Sequence, residues 1–459
     1  MSSKLTSHAT VRRTVRLTMC AALLGALILA PRSADAVEGA EVLTLDRAIA
    51  LATEGHPDLA AADARIAHAE ARVHVAEAGR LPRVVGELGV QETNNPTLVF
   101  SNLLGQAAFT EANFAVPTLN EPDALTHWSS RLRVEQPLWT GGRLDAGIGA
   151  ATAERDATSA ERDRARQHVV RAVVDAWTGA VVARRAVAVH LAIVETSRRH
   201  VDLVADLHEG GLVVESDHLR TEVRLAEAEG DLAAAEARSA IADAALGRAL
   251  GQPVHTVHAL PDELPEPADD TPLDLAVLID QAHARRPERV AMTQRRRAVE
   301  RLADLTRAEL RPRLGLGAFA EANAEDFFGA DGDNWGVTIA FDLPLYAPSR
   351  RAEVSASQAR VDEIDARARS LDQAIAFEVR QAVESIGAAR KRLAPARRGI
   401  ALADRNLTIV RDRYQNGLVV ITELLDAESA VAGARLRELA AERDLQRATT
   451  ALDLAIGNL

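Results

Sequence analysis

The sequence has one cysteine, Cys20, and only 3% aromatic residues in a chain of 459. A single thiol excludes a disulfide framework and a thiolate metal cluster. So few aromatic side chains suit a compact globular core poorly. Ala, Leu, Glu and Arg dominate instead, a mix that favours long helices and coiled coils. Proline is missing over long stretches, with none between residues 138 and 252. No nucleophile elbow, no P-loop and no Gly-rich dinucleotide turn in a βαβ setting occurs. No catalytic residue and no cofactor site is therefore assigned. His255 and His258 form an H-x-x-H pair, but with thirteen histidines chance pairs are common. No carboxylate or cysteine cluster completes a site there, so no metal is assigned either. A net charge of −12 argues against nucleic acid and anionic lipid as partners.

The first 36 residues read as a secretory signal peptide. Lys4, Arg12, Arg13 and Arg16 form a basic start, Leu17 to Ala30 an apolar run, and Ala34-Asp35-Ala36 a cleavage site. The apolar run is too short to span a bilayer. Cys20 sits inside it, after bulky Met19, which argues against lipidation. Cleavage removes five basic residues and one acid, taking the net charge to −16, and it removes the only thiol.

The remainder is two copies of one unit. Pro57 and Pro287 are 230 residues apart, as are Pro82 and Pro312. Pro137 and Pro344 are 207 apart, Gly211 and Gly417 are 206 apart, and so are Gly251 and Gly457. The landmarks keep their order. The offset changes mainly once, through a 23-residue insertion in the first copy that contains "PTLVFSNLLGQAAFTEANF". We expect a first repeat over 37–252, a proline-rich linker over 253–272 and a second repeat over 273–459. Each repeat holds a helix, a strand pair (83–138 and 313–343) and a long helical hairpin (143–250 and 348–457). From Leu144 to Leu207 the first rod would be on the order of 95 Å long, at 1.5 Å per residue. Val170, Val173, Trp177 and Val181 recur at i, i+3 and i+4 spacing. Rods of this length must pack side by side as a coiled-coil-like bundle. Pro395 is expected to interrupt the matching rod, bending it or marking a register change.

The turn G-L-V-V occurs twice, at Gly211 and Gly417. Each glycine ends one rod, and the next rod starts at once. Ser216 and Thr422 are expected to cap the new helices, with acidic Asp217 and Glu423 suiting the helix dipole. Both tips are expected at one end of the molecule.

Eleven of the fourteen aromatic residues lie in the two segments between helices. In "WGVTIAFDL", Trp335, Val337, Ile339, Phe341 and Leu343 alternate with small or polar residues, and Leu132 and Val134 alternate with Arg131, Arg133 and Glu135. Alternating strands of about ten residues with aromatics near their ends carry the signature of a transmembrane β-barrel. A soluble sandwich face would alternate likewise. Four strands do not close a barrel, since about eight are needed for even a filled one. The chain must therefore assemble with copies of itself, and three copies would give twelve strands.

Tandem repeats, strand pairs, long hairpins and "RYQNGLVVITELLDAE" (Arg413 to Glu428) together resemble the TolC-like outer-membrane efflux proteins. The resemblance covers nearly all of the chain after the leader. It implies a mainly α fold with a small β part: a trimeric α-helical barrel through the periplasm, topped by a twelve-stranded barrel in the outer membrane. It implies a passive exit duct for efflux or type I secretion, opened iris-like by a periplasmic adaptor (a membrane fusion protein) and an inner-membrane pump. It places an acidic ring at Glu423 and Asp426, and a latch at Asp217 and Tyr414. Where the family's latch has an arginine, this chain has Val419. Arg220 or Arg413 is the candidate replacement. Gly211, Leu212, Val213, Gly417, Leu418 and Val419 would meet the adaptor. The alternative readings are a periplasmic adaptor and a structural coiled-coil protein of the envelope. The first lacks its split β-domain here, and the second leaves the aromatic strands unexplained.

Overall fold

In the computed structural model, the described residues are 42–211, 213–265, 273–327 and 329–459. The expected leader, Leu212, Phe328 and the end of the expected linker lie outside them. The elements run α1 (Leu45–Gly55), α2 (Pro57–Ala78), β1 (Arg83–Thr93), α3 (Pro96–Gly105), α4 (Val116–Asn120) and β2 (Leu125–Trp139), then α5 (Arg143–Glu209) and α6 (Glu215–Ala249). The second half runs α7 (Leu275–Arg285), α8 (Pro287–Ala308), β3 (Arg313–Ala324), β4 (Gly332–Asp342), α9 (Pro348–Gln415) and α10 (Ile421–Ile456).

Pro57 and Pro287 each occupy the first turn of a helix, where the missing N–H has no partner to lose. The short helices α1 and α7 precede them and have no counterpart in the expected plan. Helix α9 is continuous through Pro395, which corrects the expected interruption. One missing N–H costs the helix a single hydrogen bond. The rest of a 68-residue rod packed along α10 holds it in register.

The rods touch through small residues. Ala146, Ala150, Ala153, Ala157 and Ala160 are all buried on α5, at alternating spacings of four and three. That is a heptad seam built of alanine, which lets helix axes approach closely. Ala291, Ala298, Ala303 and Ala308 are buried on the neighbouring α8. The larger cores are local. One gathers Val173, Trp177, Val181 and Leu246 with α1 and the chain at Leu250. Trp177 is 1% exposed, and its indole N–H donates to the Leu43 carbonyl at 2.8 Å. A second core holds Ile375, Val379, Ile386, Leu445 and Leu452 around α7. The proline-rich segment after α6 also packs. Leu260 and Leu264 lie against the Trp177 core, and Leu43 N–H donates to the Ala259 carbonyl at 2.8 Å.

The four strands make one antiparallel sheet in the order β1-β2-β3-β4. Its register gives it two unlike faces. Val84, Val134, Ala318 and Val337 form one row across it, and Gly86, Leu132, Ala320 and Trp335 the next. These share the apolar face, where Val84, Leu132, Val337, Ile339 and Trp335 are all more than half exposed. The other face carries Glu87, Arg131, Glu321 and Asn334 in one row. There Arg131 pairs with Glu321 at 2.6 Å, Arg133 with Glu87 at 3.4 Å and Arg313 with Asp342 at 3.0 Å. A sheet with its apolar side chains exposed and its charges on the other face is inverted for water.

Candidate functional site

The two G-L-V-V turns form the tips of the hairpins α5–α6 and α9–α10. Gly211 and Gly417 have φ of +70° and +69°, the left-handed region where a side chain costs energy. At the second tip, Gly417 N–H donates to the Tyr414 carbonyl and Leu418 N–H to the Arg413 carbonyl, both at 2.9 Å. This pair of bonds is the Schellman closure of a helix end. Gly211 N–H donates equivalently to the His208 carbonyl, at 2.9 Å.

The starts of the returning helices correct the sequence reading. Extended Val214 and Val420 occupy the cap positions, and neither gives a side-chain bond. Ser216 and Thr422 lie two residues inside the helices, too late for a hydroxyl to reach the free N–H groups. The acids take over that role electrostatically: Glu215, Asp217 and Glu423 stand in the first turns, facing the positive ends of the helix dipoles.

The two tips pack side by side. Val204 of α5 is buried against Ile421 and Leu424 of α10, with Val213 and Tyr414 at the edge. A cleft of about 650 Å³ opens there, lined among others by Asp217, Arg411, Tyr414, Gly417 and Val419. The structure thus brings Asp217 and Tyr414 together. Burial, and next the Asp217 charge, raise the Tyr414 phenol above its ordinary value, so it stays a neutral donor. No hydrogen bond joins the two among the described residues. Val419 lines the same cleft where the resemblance implies an arginine. Arg220 and Arg413 are exposed, lie outside it and make no ion pair among the described residues. Arg411 is the guanidinium that lines the cleft.

Glu423 and Asp426 are exposed, one turn apart on α10. Leu418 is 67% exposed, and Gly211 and Gly417 are open, with nothing near where a Cβ would stand. Val213 and Val419 are half-buried between the tips, and Leu212 lies outside the described residues.

Above the cleft is a cross-link that sequence reasoning missed. His200 of α5 places Nε2 2.9 Å from both carboxylate oxygens of Glu428 on α10. Their side chains are 13% and 17% exposed. Arg411 of α9 stands 3.6 Å from the same carboxylate. Arg224 of α6 donates to Ser429 Oγ at 2.9 Å. All four helices meet here, around a polar cavity of about 440 Å³ that also takes in Asp404 and Arg435. His200 and Glu428 are 228 residues apart, so no local pattern announces the pair. Farther up, His258 sits on the Trp177 side of the molecule. Burial, then Arg184, hold its imidazole below the ordinary 6.5, against Asp243. Its Nε2 lies 2.9 Å from Gln252 Oε1. Among the described residues no cluster of His, Cys, Asp and Glu suits a metal ion.

The comparisons agree with this architecture. The outer membrane efflux protein family matches residues 48–252 and 278–458, one segment for each half. Protein CyaE of Bordetella pertussis is 26% identical over 328 residues, which cover 70% of this chain and 69% of that protein. Outer membrane protein TolC of Vibrio cholerae is 25% identical over 179 residues, 39% of this chain and 41% of that one. The structure of the outer membrane protein VceC of Vibrio cholerae superimposes with a TM-score of 0.72 at 19% identity, covering 90% of this chain and 96% of that one. With the family matched through both halves and the fold shared over 90% of its length, this chain belongs to the outer membrane efflux protein family.

Proposed function

We propose that three copies of this chain join into one passive conduit whose periplasmic end is closed by the hairpin tips. The chain is an outer-membrane channel of efflux or secretion that extends into the periplasm, as its family is. The observation that carries the assembly is the sheet. It has an exposed apolar face, a charged face and two open edges, β1 and β4. Consecutive strands alternate in direction, so β4 of one copy meets β1 of the next antiparallel. An even, all-antiparallel cylinder follows. The tandem repeats, which place two hairpins in each copy, would give twelve rods around the bore.

In that assembly Glu423 and Asp426 would supply six carboxylates at the narrow end. Such a ring favours cations, binds polyvalent cations as blockers and repels anions. Asp217, Tyr414 and the Glu428 cross-link would hold the first hairpin to the second. Separating the hairpins widens the end. The exposed tip residues Gly211, Gly417 and Leu418, with their neighbours, offer small apolar grooves to a helical hairpin of an adaptor, which an inner-membrane pump would accompany. No bond is made or broken in the duct, so the energy comes from the pump. The test is the purified protein in planar bilayers. Cation-selective conductance with polyvalent block is expected, and Glu423→Ala with Asp426→Ala should abolish both the selectivity and the block. Unchanged selectivity and block would remove the acidic ring. Recovery of the native protein as a water-soluble monomer would remove the conduit.

A further inference from the structure

The 23-residue insertion of the first copy has no place in the mechanism above, and its position in the fold gives it one. Helices α3 and α4 lie between β1 and β2, at the end of the sheet opposite the long rods. They are not a loose loop. Phe100, Phe109 and Phe114 pack edge to face in a chain, with ring centres 5.0 Å apart in each pair. Val99 is 5% exposed beneath them.

The insertion is fastened to one face of the sheet. Gln106, 3% exposed, donates its side-chain amide to the Thr126 carbonyl at 2.9 Å and the Ala324 carbonyl at 3.1 Å, beside His127 Nδ1 at 3.2 Å. Asn102 donates to Gln91 Oε1 at 3.3 Å. Gly105 lies against the Asn323 side chain, and a Cβ on Gly332 would collide with the Gly105 carbonyl oxygen. Gln91 stands opposite His127, and Asn323 opposite Gly332. By register these four belong with Glu87, Arg131 and Glu321 on the charged face. The insertion therefore folds over the face that lines the bore, not the one that meets lipid.

We infer that this segment is a second, outer constriction, which sets the width of what can leave the duct. The inference rests on the three-copy conduit proposed above. Twelve strands spaced 4.8 Å apart and tilted by about 40° enclose a circle roughly 24 Å across. A helix with its side chains is about 10–12 Å wide. Three such helices against the wall fill a circle of about that size and leave a central gap only a few ångströms wide. The apolar side chains left exposed, Leu104, Phe114 and Val116, are then the surfaces the three copies share. Slender solutes or an extended chain leave only when the insertions part. The tips and the insertions close the two ends of one tube.

Thr338 tests this. It lies on the charged face, deeper than the insertion and exposed, while its neighbour Val337 faces the lipid side. In a chain carrying Cys20→Ser, Thr338→Cys is treated from outside intact cells with a membrane-impermeant maleimide. Labelling should be slow in the full chain. It should be about tenfold faster or more when residues 96–120 are replaced by a Gly-Ser pair, since a bore of roughly 24 Å replaces a gap narrower than the reagent. Asn102→Ala with Gln106→Ala, which keeps every backbone segment, should give an intermediate rate. Equal rates in all three proteins overturn the constriction and leave the conduit standing. If Thr338→Cys resists labelling even without the insertion, or Val337→Cys labels as fast, the assignment of the bore face fails, and the conduit with it.

Discussion

Glu428→Gln is the most informative change near the hairpin tips. The carboxylate accepts from His200 at 2.9 Å and faces Arg411 at 3.6 Å, and it is largely withdrawn from water. The amide keeps the shape and removes the charge. Hydrogen bonds to charged groups are worth about 1.5–3 kcal/mol net, and burial protects this one from screening by salt. A loss of about 2 kcal/mol shifts a closed-to-open equilibrium roughly thirtyfold in each copy, at 1.4 kcal/mol per factor of ten. Single-channel recording in planar bilayers reads this as a rise in open probability with no change in open-state conductance. A double-mutant cycle with His200→Ala should show strong non-additivity, because both changes break one link. The pair His218 and Glu222, 3.6 Å apart within α6 and with the Glu222 side chain 51% exposed, serves as control, and Glu222→Gln should leave gating as it was. An open probability that does not move with Glu428→Gln, or a cycle that adds, refutes the cross-link as a tether.

Trp177→Phe should cost about 1–3 kcal/mol, because it strands the buried Leu43 carbonyl that now accepts at 2.8 Å, and an unchanged unfolding midpoint would contradict this. His258 has a folded-state pKa held below 6.5, so the unfolded chain binds the extra proton; the stabilisation is complete above pH 6.5 and is lost as pH falls through the depressed value. His258→Gln should flatten that acid-side loss in thermal melts between neutral and mildly acidic pH, and an unaltered slope counts against the assignment. Gly417→Ala meets no steric obstacle at φ +69°, so only backbone strain of about 1 kcal/mol remains, and faster amide exchange confined to the tip around residues 413–421 should report it.

Much of the molecule is legible in the residue order. Equal spacing of prolines and glycines marks the doubled plan. The runs without proline mark α5 and α6, and alternation in "WGVTIAFDL" marks a strand whose apolar side chains do stand on one exposed face. These are local signals, because a helix or strand writes its period into consecutive residues. The caps depart from the local signal for a related reason. Ser216 and Thr422 have the right chemistry, but the turn geometry gives the cap position to a valine two residues earlier. Helix α9 runs through Pro395 because packing against α10 outweighs one lost hydrogen bond, and no local rule weighs the two.

The amino-acid order by itself determined that this chain forms long paired rods in two repeats, and strands with one apolar and one polar face. Only the tertiary structure decided which rods touch through the alanine seam. It brought His200 to Glu428 across 228 residues, turned Arg411 rather than Arg220 or Arg413 into the cleft that Asp217 and Tyr414 also line, and laid the Phe-rich insertion over the charged face. Contacts between distant segments depend on how rigid elements pack in three dimensions. Residue spacing records the period of each element and leaves no trace of which neighbour it meets.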